Sequence, residues 1–454
     1  MVRLDTIDWI IFSLIILFTF LSVLYGNLKK HQTEDSFLDH LIMGRRLTLP
    51  LFTATLVATW YGGIFGVTKI AFEEGIYNFV TQGLFWYLAY IVFAIFLVDK
   101  IKKYNSVTLP ELVGELFGPR SAKLAGILNF LNVVPITYTI SIGLFVQTIF
   151  GGDLLVNMAI GIVVVLLYSL WGGFRAVVYS DLVQFFVMCI AVLLVLVFSI
   201  TKFGGISFLT SSLPAHYFSF TGKSGFGQTF AWGLIAFSTL VDPNFYQRCF
   251  AAKSEKVAKR GILISTVIWV CFDLCTTFGA MYARAVMPDI DSANGYLVYS
   301  LEILPSGLRG FFLAGIFATV LSTLDSYIFI AGTTLSYDLF PKIFKKSLLR
   351  HHLGIIFVGI FAIMLAKFFD GNIKQVWKTL GGLSSACLLF PVLFGYFYPK
   401  QISDRIFVWV AITTAIVTAL WRNFGYSEID ELYIGVFFSI SALIFLKNGK
   451  RVES

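Results

Sequence analysis

The chain has 454 residues, of which 57% are hydrophobic and only 13% charged, with a mean hydropathy of +0.83. Soluble domains carry about 25% charged residues, so a water-soluble globule is excluded and the bilayer is the expected solvent. The formal charge of +8 does not point to nucleic acid, because the basic residues sit in short loops between apolar runs, where they set orientation in a membrane.

The first apolar run, Ile7 to Gly26, follows Asp5 and Asp8, is long for a signal peptide and lacks a small-residue cleavage site, so a retained helix is expected. A helix needs about 20 apolar residues to cross hydrocarbon. On that measure thirteen spans are predicted, at 7–26, 48–72, 77–98, 122–150, 154–171, 176–201, 228–249, 261–286, 308–337, 353–369, 376–398, 404–421 and 432–447. The expected fold class is an all-α integral membrane protein forming one transmembrane domain over residues 1–454. With the amino terminus outside, the inner segments hold 24 Lys and Arg, Arg175 and Arg248 among them, against 9 in the outer segments, with Lys69 inside a span. This asymmetry predicts an external amino terminus and a cytoplasmic carboxyl terminus, in a plasma or bacterial inner membrane. Cys189, Cys249, Cys271, Cys275 and Cys387 lie in or beside apolar segments without zinc-ligand spacing and read as packing residues.

Two spans carry helix-breaking residues. The second contains Gly62-Gly63, with Gly66 one turn on, where backbone unwinds cheaply. The seventh contains Asp242-Pro243, where the proline lacks an amide hydrogen and disfavours helical geometry in the residue before it. Each break falls in the first helix of a five-helix unit, 48–201 and 228–398, with a leading helix at 7–26 and two trailing helices over 404–447. Five being odd, the second unit enters from the opposite side, which is the pattern of an inverted-repeat transporter with discontinuous first helices. Non-helical backbone survives at membrane depth only where protein or a wet cavity surrounds it, and its freed carbonyls can coordinate a cation.

Charged groups within spans are functional candidates. These are Asp181, Asp242, Asp273 and Asp325, with Lys69 as the one clear base. Lys69 is a candidate to meet an anionic substrate, but its place near the helix end favours snorkelling or pairing with Glu73, while Asp273 reads as a structural, hydrogen-bonded carboxyl. In the ninth span Ser322, Asp325 and Ser326 share a helical face beside Thr323, the hard-oxygen set a sodium ion needs. Trp60, Tyr61, Phe65 and Phe245 flank the breaks, where their rings would wall a cavity. The expected substrate-facing residues are Thr59, Trp60, Gly62, Gly63 and Phe65 at the first break and Asp242, Asn244 and Phe245 at the second. His31, His40, His216, His351 and His352 fall in predicted loops and suggest no relay or metal site.

Three motifs in register resemble the sodium/solute symporter family: WGGFRAVVYSDLVQFFVM at 171–188, NFYQRCFAAKSEKVAKRG at 244–261 and STLDSYIFIAGTTLSYDLF at 322–340. The resemblance runs from about residue 40 to residue 400 and implies a five-plus-five inverted repeat with one leading and two trailing helices. It implies a sodium site made by backbone oxygens of Ala58, Tyr61 and Thr319 with the hydroxyls of Ser322 and Thr323, the threonine standing where a second serine is frequent. A second ion site in some members would fall on Asp181, Ser322, Asp325 and Ser326, with Asp325 departing from a serine there. Members carry sugars, amino acids, carboxylates, sialic acid, choline, vitamins and nucleobases. ATWYGG at 58–63 is similar over a short stretch to the choline-carrying branch, against which stands the positive charge of Lys69.

The function expected is therefore sodium-coupled symport of a small polar organic solute by alternating access, with Na+ as coupling ion and the lipid bilayer and the solute as partners. The rival readings are a proton-coupled symporter using Asp325 or Asp181, and a transporter-like solute sensor. No phosphate loop supports an ATP-driven pump, and no paired catalytic constellation supports an intramembrane enzyme.

Overall fold

A computed structural model of the chain describes residues 4–28, 36–169, 173–341, 348–424 and 429–447. Outside them lie Arg3, Lys29, Lys30, His31, Lys342, Lys345, Lys346, Lys450 and Arg451, counted above, and Trp171 and Gly172 of the first motif. Among the described residues the secondary structure is helical, apart from one isolated parallel bridge between Leu47 and Ala252.

Helices fall on all thirteen predicted stretches. Nine of them are long and apolar enough to cross a membrane: Thr6–Leu28, Phe79–Ile101, Pro119–Phe150, Gly173–Phe203, Glu255–Val286, Leu308–Leu339, His351–Phe368, Ile373–Phe397 and Asp404–Asn423. The other four stretches are the two interrupted ones and two shorter helices, Leu154–Ser169 and Glu431–Leu446, so thirteen crossings remain the expectation of the sequence. Several boundaries are set by side-chain caps, since Ser254, Ser403 and Asp430 each accept a hydrogen bond from an amide in the first turn that follows.

Leu308–Leu339 runs through the middle, with 94% of its most apolar window enclosed by the rest of the protein. It packs along Gly173–Phe203, where Gly315 lies against Ala191 with no room for a Cβ, the small-residue contact by which membrane helices approach closely. Large apolar side chains turned outward, such as Phe18, Leu167 and Phe437, are more than half exposed and form the lipid-facing surface.

The structure departs from the sequence reading in four places. The predicted helix 122–150 is broken at Val134-Pro135, where Val134 leaves helical geometry (φ −57°, ψ 122°) because the residue before a proline disfavours it. Short helices Ser36–Ile42, Leu109–Phe117, Ile206–Ser212 and Gly295–Ile303 occupy stretches read as loops. Arg175 and Arg248, counted among the inner charges, are buried, the former 2.7 Å from Asp39. His351 and His352 lie in the helix Leu348–Phe368 and His40 in Ser36–Ile42; His351 is enclosed with Nδ1 2.9 Å from Ser336 Oγ. Lys69 is half exposed and 3.9 Å from Glu73, as its spacing predicts, and all five cysteines are free thiols.

Near its start the leading helix Thr6–Leu28 is tied to Leu308–Leu339 through Asp8, and farther along Ser22 Oγ donates to the Tyr179 carbonyl at 2.7 Å. Asp8, 1% exposed, accepts hydrogen bonds at Oδ1 from the amides of Gly307 (2.7 Å) and Gly310 (3.0 Å), capping Leu308–Leu339 from another helix. Gly310 lies directly on the Asp8 backbone, so only glycine fits there. Replacing Asp8 with Ala is predicted to lower stability by about 1–3 kcal/mol, read as a drop in unfolding temperature of the purified protein. Asp5→Ala, at an exposed ion pair with Arg309 (3.0 Å), is predicted to change it by under about 1 kcal/mol.

Candidate functional site

The two breaks lie where the sequence places them. Leu49–Ala58 stops at Ala58 and helix resumes at Ile64–Glu74, with Thr59 to Gly63 between. A Cβ on Gly62 would strike Thr323 and Tyr138, and one on Gly63 would strike Trp377, so each glycine lets the unwound chain touch its neighbours. Pro243–Ala251 follows the second break, and Asp242 stands at its N-cap in extended geometry (φ −80°, ψ 122°).

Each break finds partners for its backbone. The Ala58 carbonyl accepts from Ser322 Oγ at 2.7 Å and from Thr323 Oγ1 at 3.4 Å. The same hydroxyls reach the Thr319 carbonyl, at 3.3 Å and 3.2 Å. Four of the five residues assigned to the sodium position thus converge through oxygen atoms, while the fifth, Tyr61, has its carbonyl accepting from the Ile64 amide at 3.0 Å. At the second break Asp242 Oδ1 accepts from the amides of Asn244 (2.8 Å) and Phe245 (3.4 Å), and the Leu240 carbonyl accepts from the Tyr246 hydroxyl at 3.1 Å.

A few ångströms along the same helices lies a second polar cluster, and its centre is an arginine. Arg248 is fully buried. Its Nη2 donates to Thr59 Oγ1 (2.5 Å), Thr55 Oγ1 (3.0 Å) and Ser326 Oγ (3.2 Å) and lies 3.7 Å from Asp181 Oδ2. Nη1 donates to Asn244 Oδ1 at 3.1 Å, and the guanidinium stands 5.6 Å from the centre of the Phe174 ring. Asp181 Oδ2 also accepts from Thr55 Oγ1 at 2.5 Å, while its Oδ1 is enclosed without a hydrogen bond. Asp325, 1% exposed, precedes Ser326 on Leu308–Leu339. Asp181 and Ser326, two of the residues assigned from sequence to a second ion site, therefore contact a resident cation. Nothing in the spacing singles out Arg248, which precedes the basic run Lys253, Lys256, Lys259, Arg260 and reads as its first member.

Beside the breaks opens a cavity of about 140 Å³. Of the expected substrate-facing residues, Trp60, Gly63 and Asp242 line it, together with Tyr61. Thr59 and Asn244 instead belong to the arginine cluster, and Gly62 lies under Thr323. Phe65 is buried away from the cavity, and Phe245 is sealed beneath Tyr90 and Trp60, with ring centroids 5.3 Å from each. The wall also includes Asp273, whose Oδ2 accepts a hydrogen bond from the Tyr87 hydroxyl, and the aromatic side chains of Tyr90, Trp269 and Trp377. These aromatic residues come from separate helices, and no local pattern in sequence announces that they meet.

Comparison with known proteins agrees with this geometry. Residues 40–405 match the family model described as "Sodium:solute symporter family". The chain is 25% identical over 325 residues to the sodium/pantothenate symporter of Escherichia coli K12, a match covering 66% of each chain. It is 26% identical to the high-affinity proline transporter PutP of Bacillus subtilis, over 76% of this chain and 77% of that one. Its fold is similar to that of a Na+-coupled sialic acid symporter in a substrate-bound outward-open state, with a TM-score of 0.79 at 18% identity over 97% of this chain and 96% of the other. A nucleobase-cation-symport transporter, MHP1, aligns with a TM-score of 0.59 at 12% identity, over 89% of this chain and 93% of that one. With broken helices, a convergent oxygen cluster and a family match across most of its length, the chain belongs to the sodium:solute symporter family.

Proposed function

We propose that the chain couples the movement of one sodium ion to uptake of a small organic solute by alternating access. The observation that carries this reading is the meeting of the Ala58 and Thr319 carbonyls with the Ser322 and Thr323 hydroxyls at the end of Leu49–Ala58. Carbonyl and hydroxyl oxygens suit a small hard cation, and the carboxyl end of a half-helix adds partial negative charge. Because those four ligands are neutral, binding is moderate and the ion can leave again. Sodium there ties the first break to Leu308–Leu339, and solute occupies the adjoining cavity. The repeat units 48–201 and 228–398 are the bodies that rock about this site.

One sodium crossing 100 mV yields about 2.3 kcal/mol, and a tenfold sodium gradient adds about 1.4. Their sum, about 3.7 kcal/mol, sustains several hundredfold solute accumulation. An external amino terminus accords with the charge bias, which stands at 22 to 9 once the buried Arg175 and Arg248 are taken from the inner 24.

In the second ion site Arg248 takes the place of sodium. The Ser326 and Thr59 hydroxyls, which would be neutral ligands for an ion, already receive hydrogen bonds from the guanidinium. The cation that balances Asp181 is thus built into the chain and does not move with the cargo.

Two outcomes follow. In purified protein, sodium is predicted to raise the unfolding temperature above that in equimolar potassium, with a Hill coefficient near one, and Ser322→Ala with Thr323→Ala to weaken the apparent sodium affinity by about tenfold or more. An unchanged sodium response in the double variant rejects the assigned ligands, and a Hill coefficient near two rejects the role given to Arg248. Arg248→Met and Asp181→Leu, each stranding a buried charge, are predicted to cost about 3–5 kcal/mol singly, with the pair together recovering at least about half of the summed loss. Additive losses in this cycle, measured by thermal unfolding, count against a coupled ion pair.

A further inference from the structure

Among the described residues the cavity wall contains two carboxylates, Asp242 and Asp273, and no lysine, arginine or histidine. Neither carboxylate has a basic nitrogen within 4.0 Å. The bases nearest in sequence are engaged elsewhere: Lys69 stands by Glu73, Lys374 by Glu74 and Lys378 by Asp430. Lys69, the charge that argued against a cationic substrate, is half exposed and does not reach the cavity.

The two acids do different things. Asp242 caps Pro243–Ala251 with Oδ1, so the positive end of that half-helix, which could have received an anionic group, already holds the chain's own carboxylate. Asp273 caps nothing. It is 2% exposed, Oδ2 accepts from Tyr87, the Tyr61 side chain stands close by, and Oδ1 is enclosed without a hydrogen bond. A buried carboxylate in this state lacks both a counter-charge and a full set of donors, which is costly unless a ligand supplies them. Facing the same space are Trp60, Tyr90 and Trp269, packed together with ring centroids 4.5 to 6.0 Å apart. Electron-rich rings beside an unpaired carboxylate attract a cation and repel an anion.

We propose that the cavity takes a small organic cation, an amine or quaternary ammonium, held between the Asp273 carboxylate and the rings of Trp60, Tyr90 and Trp269. The inference rests on the reading of this cavity as the solute site of a sodium-coupled symporter and assigns the chemical class of that solute. The volume of about 140 Å³ suits a compact head group, and the cation restores the charge balance that the acidic wall leaves open.

The test uses the full chain in lipid nanodiscs and follows thermal unfolding in sodium and in potassium. The probes are tetramethylammonium, choline, the uncharged choline isostere 3,3-dimethylbutan-1-ol and acetate. At least one cation is expected to stabilise the protein in sodium with an apparent affinity about tenfold or more above that of the isostere. Asp273→Asn is expected to bring cation and isostere within about threefold of each other, and Trp60→Leu to weaken the cation alone, while sodium still stabilises both variants as evidence that they fold. An isostere or acetate response equal to that of the cations, or no response to either cation, overturns the assignment and leaves sodium coupling standing. Cations that stabilise equally in sodium and potassium overturn the sodium-coupled reading instead and leave the cation site intact.

Discussion

Hydrocarbon offers no hydrogen bonds, so a chain that unwinds inside a membrane must find partners for its backbone within the protein. The region around both breaks is organised by that constraint. At the first, the Ala58 carbonyl is met by two hydroxyls from Leu308–Leu339; at the second, amides are met by Asp242 and the Leu240 carbonyl by Tyr246. The oxygens that satisfy the first break are also the proposed ligands of sodium. In the proposed mechanism an ion arriving there replaces hydrogen bonds already present, so the same atoms would serve the resting structure and the coupling step.

The constraint extends to charge. Arg248 is stable at full burial because three hydroxyls, one amide oxygen and one carboxylate surround it, which is what a buried cation requires. It joins residues from Leu49–Ala58, Gly173–Phe203, Pro243–Ala251 and Leu308–Leu339, so it cross-links the two broken helices to the two long helices behind them. In the proposed mechanism this fixed cation stands where a second mobile ion would otherwise sit, and the sodium position beside the first break is the one assigned to exchange. The leading helix is fastened by the same device on a smaller scale, through the Asp8 carboxylate and the amides of Gly307 and Gly310.

Much of this was legible in the residues. Gly62-Gly63 and Asp242-Pro243 announce their breaks because glycine and proline act on the local backbone, and Ser322, Asp325 and Ser326 announce a polar face because helical spacing puts them together, while the pairing of Ser322 with Thr323 comes from the family resemblance. Pro135 carries the same local signal as Pro243 and marks the third interruption, which an unbroken apolar run conceals. What spacing does not carry is tertiary placement. Arg248 looks like the first charge of the basic run at the inner end of its span, since the turn of helix that buries it is short and its partners lie 67 to 193 residues away, apart from Asn244. Asp273 looks like an isolated structural acid, because the rings that share its cavity, Trp60 and Tyr90, come from the unwound segment and from another helix. His351 reads as a loop residue because its helix begins in a polar stretch.

The central claim is that sodium, and not a proton, is the ion exchanged beside the first break. Its most direct test is charge movement on proteoliposomes adsorbed to a solid-supported membrane, comparing a sodium concentration jump at constant pH with a pH jump at constant sodium. The account predicts a transient current on the sodium jump that saturates with a slope of about one and is lost in Ser322→Ala with Thr323→Ala. A current that follows the pH jump and is indifferent to sodium would contradict it.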